Sequence, residues 1–180
     1  SRLRTTSNGS YCLICEGMVM AVLSIGTRMI TGSDGLFPDT KCIKELIENQ
    51  TPEGKNIEYK SVLKIETEDD KKEFLADVAS FANTAGGYLF YGISEDRGVP
   101  IEVKGQDFAD LDKEKLRLES IIRDGIAPKL SNLLFKFIKL EKGGYVLVVY
   151  IPKSWSSPHM VVYKNSSRFF ARHSGGKYQL

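Results

Sequence analysis

Residues 74–94 change their apolar period in mid-course, and that change fixes most of what the chain can become. Phe74, Leu75, Val78, Phe81 and Ala82 recur at spacings that lay one stripe along a helix. Asn83-Thr84-Ala85-Gly86-Gly87 then interrupts. Tyr88-Leu89-Phe90-Tyr91-Gly92-Ile93-Ser94 is almost continuously apolar and β-prone, the pattern of a strand buried on both faces. Two glycines between a helix and a strand can cradle a phosphate, form a tight turn or admit a ligand. A phosphate cradle opens a helix, whereas this pair closes one, and no GxxxxGK followed by Ser or Thr occurs. The glycines therefore read as a helix stop, one of them left-handed, and as a point of close packing against a sheet.

The flanking segments extend the pattern. Asp39 or Thr40 caps a short helix over 41–50, with Ile43, Leu46 and Ile47 on one face. Pro52 and Gly54 break the chain, 55–63 reads as a strand, and the acidic run Glu66 to Asp70 suits the positive end of the helix that follows. A turn at 95–98 leads to a short strand, and 110–124 is a second amphipathic helix. Strands follow within 132–141, 143–152, 159–164 and 167–173, with Gly143-Gly144 as a hairpin. Helices early, strands late and one crossover predict an α+β domain, a mixed β-sheet packed by two or three helices.

Residues 1–40 read as an N-terminal appendage or linker, and 41–180 as the domain, the N-terminal part of a longer protein. The apolar run 11–30 is interrupted by Glu16 and Arg28, which leaves about half of a membrane span; no membrane partner is expected. Three cysteines make no disulfide framework and suit a reducing, cytoplasmic setting. Cys12 and Cys15 have zinc-ligand spacing, but no second Cys or His pair follows at a suitable distance.

Charge is unevenly spread. Residues 128–180 carry nine Lys/Arg against one acid, Glu141, whereas 51–127 carry 11 basic and 17 acidic residues. A basic third beside an acidic middle points to a polyanion-facing surface. Lys153, Trp155, Tyr163, Lys164, Arg168, Phe169, Phe170, Arg172 and Lys177 mix cations with aromatics near the end, which suits backbone phosphates and base stacking. The same residues also fit a half-buried sheet with its aromatics inward. Two histidines near the C-terminus offer no nucleophile arrangement. Carboxylates are the better lead for catalysis. Glu53 and Glu58 flank a Gly-containing bend, Asp96 ends the buried strand, and Lys60 shares a face with Glu58. Three acids and a lysine are the inventory of a divalent-metal phosphodiesterase, with Mg or Mn held by Glu53, Glu58 and Asp96. Glu-x-Lys is equally at home on a solvated strand.

The ordered set is more specific than its parts. Glu53, Ile57-Glu58-Tyr59-Lys60, Phe81-Ala82-Asn83-Thr84-Ala85-Gly86-Gly87, Gly92-Ile93, and Asp96 with Gly98 together resemble the Schlafen-type AlbA-like domain. Later segments, residues 148–161 and 169–175, look like its V-P-x-S…P and aromatic-x-Arg stretches. The resemblance implies a mixed α/β fold and a nucleic-acid-binding role, DNA or RNA, in a transcriptional-regulator-like protein. In animal Schlafen proteins a related core is an endoribonuclease using three acids, which fall by motif on Glu53, Glu58 and Asp96. Those enzymes pair two lobes, so an equivalent here implies a homodimer, and their zinc site has no counterpart in this sequence. Three functions follow: a nucleic-acid-binding domain using Lys153, Lys164, Arg168, Arg172 and Lys177, a metal-dependent endoribonuclease, or a non-enzymatic dimerisation module.

Overall fold

The computed structural model describes residues 37–165 and 167–180; most of the expected N-terminal appendage, and the Cys12–Cys15 pair, lie outside them. The element order is α1 (Thr40–Glu48), β1 (Ile57–Lys60), α2 (Glu68–Asn83), β2 (Gly86–Tyr91), β3 (Ile93–Asp96), β4 (Val99–Val103), α3 (Leu111–Gly125), β5 (Ile126–Ala127), β6 (Leu134–Lys139), β7 (Tyr145–Pro152), β8 (Met160–Val161), β9 (Arg168–His173) and β10 (Gly176–Gln179). This is the expected α+β class. Asp39 caps α1, its side chain accepting from Cys42 N. Thr67 and Asp70 cap α2 reciprocally.

A central four-stranded sheet runs β1-β2-β7-β6. β1 and β2 pair in parallel, joined by α2 as the crossover, while β7 pairs antiparallel with both β2 and β6. Strand alternation splits its side chains between two cores. Ile57, Tyr59, Phe90, Ile138, Val146 and Val148 pack with Ile43 and Leu46 of α1. Leu89, Tyr91, Leu147, Val149 and Ile151 pack with α2 and α3. A second sheet, β10-β9-β8-β5, adds Val161 and Phe170 to that core.

α2 therefore has cover on more than one side. The spacing predicts one apolar stripe, but every residue from Phe74 to Ala82 is buried, because β9 packs on the helix as well as the central sheet. The apolar run 88–94 does not form one strand. Gly92, at φ +101°, ends β2, and β3 turns away to pair with β4 in a separate two-stranded ribbon. The strand expected within 159–164 is two residues long, and β5 and β10 have no counterpart in the sequence reading.

The double glycine is the packing hinge that its order predicts. Gly86 lies at φ +70°, and a Cβ there would come within 2.5 Å of Lys153 N. At Gly87 the same atom would collide with the Asn56 backbone, whose carbonyl accepts from Tyr88 N at 2.8 Å. The turn thus lets β2 enter between β1 and β7 at backbone-to-backbone distance.

Candidate functional site

Alternation in β1 sends Ile57 and Tyr59 toward α1 and leaves Glu58 and Lys60 facing α2. There they meet Asp77, which is 1% exposed. β9 and β10 pair Arg172 with Lys177 across the ladder, and both reach the same place. Glu58 Oε1 is 2.7 Å from Lys60 Nζ, and Oε2 is 2.5 Å from Arg172 Nη1. Asp77 Oδ1 is 2.7 Å from Lys177 Nζ, and its Oδ2 is 3.7 Å from Lys60. Glu73 closes the cluster at 2.7 Å from Lys177. Arg172 also donates to Ser80 Oγ and to the Gly54 carbonyl, with its guanidinium 4.1 Å from the Phe81 ring centroid.

Electrostatics follow from burial and neighbours. Burial alone would raise the Glu58 carboxyl, but Arg172 and then Lys60 outweigh it and hold it below its usual range. Asp77 goes the other way. Burial, reinforced by the Glu58 charge and only partly offset by Lys177 and Lys60, pushes it up to about 6. Burial would lower Lys60, yet Asp77 and Glu58 lift it above its ordinary value.

The three sequence-predicted acids do not gather as a metal set. Glu53 Oε1 accepts from Tyr59 N at 2.9 Å, and Glu53 N donates to the Gly98 carbonyl. Its carboxyl is raised first by burial, opposed by the Tyr59 N–H, with the Glu58 and Glu95 charges adding. Glu58 is engaged at both oxygens by cations. Asp96 is exposed at the end of β3, and the acid of that turn which bears on Glu53 is Glu95, whose carboxylate accepts from Gly98 N. Among the described residues no group of three His, Cys, Asp or Glu side chains is placed to hold a metal ion. The donor set does not fit Mg or Mn, because its central carboxylate is already neutralised by Arg172 and Lys60.

The basic residues divide. Lys164 and Arg168 are exposed and line an open groove of about 700 Å³ between α2 and the β8–β9 loop. Asn165, Ser167 and Phe170 line the same wall, and Asp69, Lys72 and Glu73 line the α2 wall. Lys164 meets Glu68 at 3.2 Å in an exposed pair, worth little. Lys153 is exposed at the end of β7. Arg172 and Lys177 are withdrawn into the buried cluster, so Arg172 does not stand on the surface where its sequence neighbours place it.

The family model described as Schlafen, AlbA_2 matches residues 53–180. The chain belongs to this family. The N-terminal domain of a RecG-related protein from Nitrosomonas europaea has a similar fold. It is 24% identical, with 75% of this chain and 90% of that chain covered and a TM-score of 0.52. The DIP2311 protein from Corynebacterium diphtheriae is 20% identical over 77% of this chain, with a TM-score of 0.49; the match spans 25% of that protein's length. No match was found among curated proteins.

Within this Schlafen, AlbA_2 domain, Asp77 is the site residue that sequence reasoning missed. Its signal is an acid between Phe74 and Phe81, where the other residues are Leu, Ala, Val and Ser. His159 stands isolated in the sequence, yet it is fully buried in a brace. Its Nδ1 lies 2.7 Å from the Pro128 carbonyl, which only accepts, so Nδ1 carries the proton. Nε2 lies 2.6 Å from Ser154 Oγ. No described helix is long and apolar enough to cross a membrane.

Proposed function

We propose that this domain binds nucleic acid along the groove between α2 and the β8–β9 loop, the role that the family resemblance implies for a regulator. The observation that carries the reading is the placement of Lys164 and Arg168, exposed together with Asn165 and Ser167 and beside the half-buried Phe170 on one wall. Two cations supply phosphate contacts, the amide and hydroxyl supply hydrogen bonds, and the ring supplies an apolar face. Arg168 has no ion-pair partner among the described residues, so its guanidinium is available without first breaking an internal bond. The buried cluster plays the supporting part. It fixes β9 and β10 against α2 and so holds the groove's two walls at their spacing.

The test is fluorescence anisotropy of labelled DNA and RNA against the protein and a Lys164→Ala/Arg168→Ala double variant. The double variant should bind all sequences more weakly, and the slope of log affinity against log salt should shrink by about two, one for each phosphate that the variant no longer neutralises. Unchanged affinity and slope would remove the groove from the interface.

A further inference from the structure

The chain's single tryptophan, Trp155, is 96% exposed, yet the backbone on either side of it is tightly held. Ser154 N donates to the Ala82 carbonyl at 3.0 Å. Ser154 Oγ is bound by the buried His159 ring and accepts from Ser156 N at 3.2 Å. His159 N donates to Asn83 Oδ1 at 2.7 Å, and Asn83 Nδ2 donates back to the His159 carbonyl at 2.9 Å. The loop 153–159 is thus pinned at both ends to the last turn of α2, and its one large ring is presented to solvent. The ring's chain neighbours are Lys153, Ser154, Ser156 and Ser157, which give none of the apolar collar that shields a protein–protein anchor. What they give is a cation and hydroxyls. The same turn carries a second ring platform: Thr84 Oγ accepts from Arg172 N, and the next residue, His173, stacks on Tyr178 with centroids 5.3 Å apart. Both rings are exposed.

We infer that Trp155 stacks an unpaired nucleobase while Lys153 takes the adjoining phosphate, so the ligand of this domain is single-stranded or carries an unpaired nucleotide. A duplex keeps its base faces inside its own stack, and a free indole on a rigid loop complements the π-face that only an unpaired base shows. The inference rests on the nucleic-acid reading above and adds the strandedness that the groove does not specify.

Because Trp155 is the only indole, its emission reports directly on the stacked base. The full chain would be titrated with short oligo-dT and oligo-U, with a duplex of equal length, and with a strand of abasic sites. Both base-bearing single strands, or one of them if the sugar matters, should quench the emission, and the abasic strand and the duplex should not. Trp155→Ala should weaken single-strand binding about tenfold, the effect of removing one stacked base, with duplex affinity and melting temperature unchanged; Trp155→Phe should restore most of the affinity. Unquenched emission with oligonucleotide bound, or equal single-strand affinity in Trp155→Ala, would overturn the inference and leave the groove reading standing. Absence of binding by every nucleic acid at low salt would overturn both.

Discussion

Arg168 and Arg172 stand four residues apart on one strand, and alternation puts them on the same face of β9. One is exposed at the lip of a groove. The other is 4% exposed and locked between Glu58, Ser80 and the Phe81 ring. Neither residue type nor strand parity separates them; what separates them is the element lying across the strand. Charge in this molecule therefore has two uses, holding sheets to a helix in one place and facing solvent in the other.

The largest expected effect lies on the buried side. Arg172→Ala leaves Glu58 buried without its closest cation, and chemical denaturation should show a loss of about 3–5 kcal/mol. An unchanged midpoint would mean that the cluster does not hold β9 to α2. Next comes the turn that ties the two regions together. Gly86→Ala forces a Cβ against Lys153 N from a left-handed backbone, and a loss of about 2 kcal/mol is expected in the same assay.

The third prediction concerns pH. Asp77 has a folded value of about 6, above its ordinary 3.8, so the stability it contributes is complete below the unfolded value and is lost as pH rises through 6. Glu58 has the opposite sign: held below its ordinary 4.5, it contributes above that value and the contribution is lost on acidification through its folded value. Asp77→Asn removes the first directly. Melting temperatures of the protein relative to this variant should therefore fall from about pH 4 upward and level off above about pH 6, where a flat difference throughout would show that Asp77 titrates normally. The smallest effect belongs to the exposed partner of the comparison. Arg168→Ala should change stability by less than about 0.5 kcal/mol while weakening nucleic-acid binding, and a large loss of stability would show that Arg168 too is structural.

Much of the scaffold is legible in the sequence because it rests on local periodicity. The α2 helix, the glycine entry into β2 and the 143–144 hairpin are each written within a few neighbouring residues. The pairing of Glu58 with Lys60 is legible too, since residues two apart on a strand share a face. What escapes is contact between distant segments. Nothing near Arg172 announces Glu58, and the cover that buries Phe74 to Ala82 on more than one side comes from β9, far along the chain. Asp96 draws attention because it ends a strand next to a glycine turn, whereas the hairpin aims Glu95 at Glu53. β5 and β10 are too short to carry a period at all.

The ionic cluster also joins segments that are synthesised far apart in time. Glu58 and Asp77 are made early in the domain, and their counter-ions Arg172 and Lys177 are made near its end. While the chain is being synthesised, packing α2 against β1 would bury two carboxylates with only Lys60 to offset them. The helix and the parallel pair thus have an electrostatic reason to stay loosely associated until the last two strands emerge from the ribosome. A chain that ends before residue 172 lacks the arginine that neutralises Glu58 in the folded domain.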